Sequence, residues 1–300
     1  NQVATLSSVQ VWLDTTAVAV FADGFVGLVC RMGLPGETRY RLVRPQHLLV
    51  TTGARERMLA FPGNTLPGVF GAGAFQTLVN RDLVACSGRL LVVGAGNVGL
   101  IAAYHALQAG MEVAAVVEFL PDVGGYAVHA DKLRRLGVPI LTRHTIVRAE
   151  GEGRVQRATI AAVDETGALM AETAVTLEVD TILIAVGLTR VDEFSRKAEQ
   201  AGIRVRAAGD AAEIAEASAA MIDGRIAGRE IATALGRPPT RTEGATEPEW
   251  EANLALLRSR PGPTHPPCGP VRKDGVAPVF HCLQEIPCNP CTSVCPEGAI

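Results

Sequence analysis

The stretch 89–118, RLLVVGAGNVGLIAAYHALQAGMEVAAVVE, constrains the fold more than any other part of the sequence. It opens on the apolar run Leu90, Leu91, Val92 and Val93, which reads as a strand buried on both faces. Gly94, Gly96 and Gly99 follow at the spacing that a βαβ turn needs around a pyrophosphate. The first glycine allows the tight turn, the second lets backbone approach the phosphates, and the third lets the helix pack on the strand. Asn97 and Val98 open the predicted helix, which runs to about Ala109 and directs its free N–H groups at the ligand. Gly110 ends it as a left-handed cap. A second strand over 112–117 leads to Glu118, 24 positions after Gly94, where an acid can accept hydrogen bonds from ribose hydroxyls. This is a complete dinucleotide fingerprint, and its carboxylate favours NAD over NADP. No arginine follows Glu118 closely in sequence.

With 300 residues the chain has room for two domains and an appendage. Ala, Val and Gly carry most of the apolar content, as packed α/β layers require. A net charge of −3 argues against nucleic acid as a partner. No apolar run is long enough for a membrane span and no signal peptide opens the chain, so a cytoplasmic protein is expected. The chain starts at Asn1 inside a strand-rich region, as a fragment of a longer protein would.

Strands are predicted over 9–13, 17–21, 25–31 and 40–44, with glycine and polar turns between them, as in an antiparallel meander. The apolar strand from His47 runs into Thr52 and Gly53. Residues 58–75 read as loop and 74–80 as a short helix. Beyond the fingerprint, 131–136 reads as helix and 138–141 as strand. A second meander is predicted over 145–152, 154–163 and 173–179. The apolar run 181–186 ends at Gly187, where a parallel sheet would be completed. A strand over 203–206 leads to Gly209 and Asp210, and an Ala-rich helix follows to about Leu235. Residues 236–270 have the Pro, Thr, Glu and Arg texture of a linker around one helix, 248–258.

Four of the seven cysteines crowd the last twenty residues as Cys282-x5-Cys288-x2-Cys291-x3-Cys295-Pro296. The x2 and x3 gaps and the Cys-Pro ending match the second half of a bacterial ferredoxin run, and a 4Fe-4S cluster is the expected occupant. A structural zinc, or a redox disulfide between Cys288 and Cys291, are the alternatives. Asp210 has two readings: a hydrogen bond to the ribityl chain of a flavin (FAD or FMN), or an N-cap for the helix behind it. Cys30 and Cys86 sit beside apolar strands and read as core residues.

The order of meander, VTTGARER, glycine fingerprint, second meander, IAVG and AAGD resembles the two-dinucleotide-domain flavoproteins of the pyridine nucleotide-disulfide oxidoreductase class, over residues 1 to about 235. Within that class, 51–57 and FPGNTLPGVFGAGAFQTL at 61–78 look like the α-subunit group of sarcosine oxidase, dye-linked proline dehydrogenase, opine oxidase and hydrogen cyanide synthase. The cysteine tail is similar to the cluster-binding extension of some members. The class opens on its own FAD fingerprint, which this sequence does not contain, and no CxxC dithiol stands in the nucleotide domain.

The resemblance implies an α/β architecture with a Rossmann-type domain at 85–188 inserted in an FAD-type domain at 1–84 and 189–237, then a linker at 238–280 and an iron–sulfur segment at 281–300. It implies cofactor contacts at Thr52, Gly53, Gly187, Gly209 and Asp210. The expected activity is that of an oxidoreductase subunit passing electrons between flavin, a nicotinamide or other adenine nucleotide, and the cluster. Its expected partner is a flavin-containing, amine-oxidising subunit in a hetero-oligomer. A self-contained NAD(P)H-dependent reductase, or a non-catalytic adaptor holding nucleotide and zinc, are the competing readings.

Overall fold

The computed structural model describes residues 5–31, 37–237 and 247–258. These form two units: Glu56–Leu188, and the described residues up to Arg55 together with those from Thr189 onward. The chain crosses between units inside two short strands, Ala54–Glu56 and Leu188–Arg190.

The Glu56–Leu188 unit is built on a five-stranded parallel sheet in the order Val69–Gly71, Thr181–Ile184, Arg89–Val93, Glu112–Glu118, Ile140–Thr142. Alternation along the strands assigns each side chain to one of two layers. Leu90, Val92 and Leu183 pack with Phe75, Leu100, Ala103 and Leu133, from helices Ala72–Gln76, Asn97–Gln108 and Ala127–Arg135. Leu91, Val93, Ile182 and Ile184 pack with Ile146, Ala158 and Ile160. Those three belong to an antiparallel meander of His144–Glu150, Arg157–Ala162 and Val175–Glu178. Both sheet faces are therefore covered, which is why the central strands are apolar without interruption.

Several expectations need correcting here. Residues 58–75 are not all loop, because Val69–Gly71 forms the outer strand of the parallel sheet, paired with Thr181–Ile184. Three residues bounded by glycines are too short for a periodic signal. The unit consequently begins at Glu56 rather than at 85. The stretch 61–78 is bound by its backbone to both layers. Pro62 O accepts from Ala149 N at 2.8 Å, Pro67 O from Val155 N at 2.9 Å, and Gly68 O from Ile182 N at 2.9 Å. Glu56 Oε1 accepts from Gly73 N at 2.6 Å, at the start of the short helix. A Cβ at Gly71 would collide with that carboxylate. The predicted helix 74–80 is Ala72–Gln76 followed by a wider turn over Thr77–Arg81, closed by Asp82 N donating to Thr77 O at 3.1 Å. The helix predicted over 131–136 starts earlier, at Ala127, behind an N-cap Tyr126 that offers no capping side chain to read.

In the other unit, Thr15–Val20, Val26–Arg31 and Thr38–Val43 form an antiparallel sheet. Leu48–Val50 pairs in parallel with Val205–Ala207. The strand predicted over 9–13 does not form, and ladder pairing begins only at Thr15, opposite Cys30. Helix Glu193–Gln200 has no counterpart in the sequence reading, because its inward face carries one large apolar side chain, the half-buried Phe194, beside the small Ser195 and Ala198, too little to mark a stripe. Helix Ala217–Ala234 packs against Glu247–Arg258 through Ala219, Ile226 and Leu254. Among the described residues no helix is long and apolar enough to cross a membrane.

Candidate functional site

The glycine loop leaves the carboxyl end of strand Arg89–Val93, and two of its glycines are explained by the protein itself. Gly94 has φ +107, and a Cβ there would lie 2.4 Å from Ala185 O. A Cβ at Gly99 would lie 2.0 Å from Gly94 O, so the helix can approach the strand only if this residue has no side chain. Gly96 is different, since a Cβ there meets nothing within 4 Å. It is the N-cap of helix Asn97–Gln108, in extended conformation, and no side chain caps that helix end. The first-turn N–H groups have no helix carbonyl to bond, and the space beside Gly96 is open to a ligand that could accept from them.

Glu118 ends the neighbouring strand and is only 8% exposed. Its Oε2 accepts from Ala95 N at 2.7 Å and its Oε1 from Leu120 N at 3.0 Å. The carboxylate thus fixes the glycine loop, and each oxygen keeps a further lone pair for a hydroxyl. The loop 119–126 then folds back over the helix start. Gly125 N donates to Ala95 O at 2.9 Å and Tyr126 N to the Asn97 Oδ1 at 2.7 Å. Asn97 therefore acts through its side chain as well as its position at the helix start, and Gly125 joins the site although the sequence reading passed over it. The pair Gly124–Gly125 soon after a strand end was the available signal. Val98 lies on the exposed side of the same first turn. Phe119 and Leu120 directly follow the acid and are 49% and 55% exposed, an apolar pair at the rim of the loop.

In the other unit, Val50 pairs with Ala207, and Ala208 N donates to Val50 O at 3.0 Å. Thr52–Gly53 and Gly209–Asp210 therefore leave the carboxyl ends of two paired parallel strands side by side, the edge at which open α/β sheets receive nucleotides. Thr52 Oγ1 donates to Val191 O at 2.6 Å, and Gly53 O accepts from Val191 N at 3.0 Å. Asp210 lies in a short turn, Gly209–Ala211, and its Oδ1 accepts from Ala215 N at 3.3 Å. The N-cap reading of Asp210 is corrected, because the long helix starts at Ala217 with Glu216 in the cap position.

The residue that organises this turn is Asp223, 1% exposed and missed in the sequence. Its carboxylate meets Gly209 N at 2.8 Å, Arg206 Nη2 at 3.1 Å and Arg258 Nη2 at 3.3 Å. Burial pulls the Arg206 guanidinium down, but Glu230 and Asp223 outweigh it and hold it above its ordinary value. The signal was there: Ala219, Asp223, Ile226 and Ala227 form one buried helical face, and an acid on it needs cationic partners.

Gly187 ends its strand region with φ +114, and its O accepts from Arg57 N at 3.0 Å. Cys282, Cys288, Cys291 and Cys295 lie outside the described residues. Cys30 is buried in its unit, and Cys86 packs against the helical layer with its thiol pushed up by burial, the opposite of an activated nucleophile. Among the described residues no cluster of His, Cys, Asp or Glu could hold a metal ion.

Residues 5–218 match the pyridine nucleotide-disulphide oxidoreductase family. The chain belongs to this family. The family model thus takes in both parallel-strand edges described above. The chain is 28% identical over 236 residues to hydrogen cyanide synthase subunit HcnB of Pseudomonas aeruginosa, covering 67% of this chain and 51% of that one. It is 33% identical over 133 residues to sarcosine oxidase subunit alpha of Rhizobium meliloti, covering 41% of this chain and 13% of that one. The match thus spans about half of the first relative's length and far less of the second's. A solved FAD-dependent pyridine nucleotide-disulphide oxidoreductase from Desulfovibrio vulgaris shares the fold, with a TM-score of 0.57 and 21% identity over 77% of this chain and 63% of that one.

Proposed function

We propose that this protein is a subunit of a cytoplasmic amino-acid or secondary-amine dehydrogenase or oxidase complex. In this reading it relays electrons between a flavin, a nicotinamide nucleotide and an iron–sulfur cluster. The observation that carries the nucleotide site is the open space at Gly96: the residue lacks a side chain where no described atom within 4 Å forbids one. A pyrophosphate there would receive the first-turn N–H groups of Asn97 and Val98, and Glu118 would hold the adenosine ribose. Thr52, Gly53, Gly209 and Asp210 suit the flavin, with the Asp210 carboxylate accepting hydrogen bonds from its ribityl hydroxyls, and Gly187 is proposed as a cofactor contact of its own unit. Flavin and nicotinamide supply hydride chemistry, and a cluster single-electron chemistry. The residues of the chain bind and orient these groups.

The similarity to HcnB and to sarcosine oxidase subunit alpha, both named as subunits, supports assembly with an amine-oxidising partner. The spacing of Cys282, Cys288, Cys291 and Cys295 supports the cluster. Protein purified without oxygen is expected to be brown, to contain iron and acid-labile sulfide, and to bleach on reduction. Cys288→Ser or Cys291→Ser removes the cluster and leaves NAD binding intact, whereas Cys268→Ser changes neither. Zinc without sulfide in the anaerobic preparation would overturn the relay.

A further inference from the structure

The sequence places no arginine close after Glu118, yet the fold pairs the strand ending in Glu118 with one that Arg143 directly follows. Glu118 pairs in the parallel sheet with Thr142, so Arg143 is the next residue past that pairing, on the carboxyl side where the glycine loop opens. Its backbone is gripped from two directions. Arg143 N donates to Leu120 O, two residues beyond Glu118, at 3.0 Å, and Arg143 O accepts from Val163 N at 2.7 Å.

Arg143 adopts φ +53, a left-handed conformation. Thirteen described glycines take positive φ, against Arg143 and only two other residues, Asp14 and Leu83, so glycine is the usual occupant of this conformation here. A bulky side chain kept where glycine would relax the backbone is the mark of a residue retained for what its side chain does. Among the described residues the guanidinium enters no ion pair. A half-buried arginine outside any described ion pair therefore directly follows the strand that pairs with the strand ending in the ribose-site acid.

We propose that Arg143 is a specificity-determining residue of the nucleotide site, meeting the 2′ position of the adenosine ribose and offsetting the repulsion of a 2′-phosphate by Glu118. The chemistry fits, since a guanidinium offers paired donors to phosphate oxygens in a fixed plane. NADP then binds beside NAD instead of being excluded. This rests on the reading that the 94–99 loop binds a dinucleotide.

The test is calorimetric titration of NAD and of NADP into the purified full chain and its Arg143→Gln, Arg143→Lys and Arg143→Gly variants. In the wild type NADP is expected to bind within about tenfold of NAD, and in Arg143→Gln it weakens by about tenfold or more while NAD changes by less than about threefold. Arg143→Lys retains part of the NADP affinity. Arg143→Gly loses NADP binding as Arg143→Gln does, yet unfolds at a higher temperature because the backbone is relieved. If NAD binds and the NADP-to-NAD ratio is the same in wild type and Arg143→Gln, the role of Arg143 is overturned. If the wild type binds neither nucleotide, the site itself is overturned and the role of Arg143 with it.

Discussion

The carboxylate of Asp223, deep in helix Ala217–Ala234, accepts the backbone N–H of Gly209 at 2.8 Å while also meeting the guanidinium groups of Arg206 and Arg258. One buried anion thus fixes the turn that carries Asp210 and ties it to two helices. Removing it leaves the Gly209 N–H without its acceptor and each cation with one remaining carboxylate, Glu230 for Arg206 and Glu213 for Arg258. Asp223→Ala is expected to cost about 2–4 kcal/mol in urea unfolding, near the range for breaking a buried pair. Asp223→Asn, which can still accept from Gly209, should fall between the two. Wild-type stability in Asp223→Ala would mean that the network is ornamental.

The glycines of the fingerprint have separable roles. Gly99→Ala forces a contact with Gly94 O and is expected to lower the unfolding temperature by several degrees. Gly96→Ala fills open space, so it should leave stability within about 0.5 kcal/mol of wild type while weakening nucleotide binding at least severalfold. Thermal melts with NAD titrations separate the two. Undiminished NAD affinity in Gly96→Ala would remove the space beside Gly96 from the site.

Glu118 is predicted to serve the ligand and the loop together. Glu118→Ala should weaken NAD by about 1–3 kcal/mol, the scale of hydrogen bonds to a charged group. It should also lower stability without ligand, because Ala95 N and Leu120 N lose their acceptor. Calorimetry reads the first effect and melting of the ligand-free protein the second.

His129 introduces a pH dependence. It is 6% exposed, its Nε2 has no hydrogen-bond partner among the described residues, and burial, then the charges of Lys132 and His105, lower its pKa below the ordinary value. The unfolded chain therefore takes up this proton first. The stability contributed by neutral His129 is full above the unfolded value of about 6.5 and is lost as pH falls through the depressed folded value. Melting temperatures should drop between pH 7 and pH 5, and His129→Leu should flatten that slope. An identical slope in the variant would assign the pH dependence to other groups.

What was legible in the sequence is what repeats a physical constraint several times over. The 89–118 unit is such a case, with buried strand, glycine turn, helix, glycine stop and acid all agreeing, and each is found in place. The two meanders and the long helix are present as well, apart from the strand predicted over 9–13. Short elements were not legible. Val69–Gly71 is held by pairing with a strand more than a hundred residues away, and Glu193–Gln200 turns a single large apolar side chain, Phe194, inward. Asp223, Asn97 and Arg143 act through partners that only the fold supplies.

The stretch 61–78, whose wording marks the resemblance, can be understood as a seam. Its carbonyls stitch the meander to the parallel sheet, and Glu56 closes it at Gly73. None of those bonds involves a group set aside for a reacting molecule. The stretch therefore speaks for how this unit is held together rather than for any substrate.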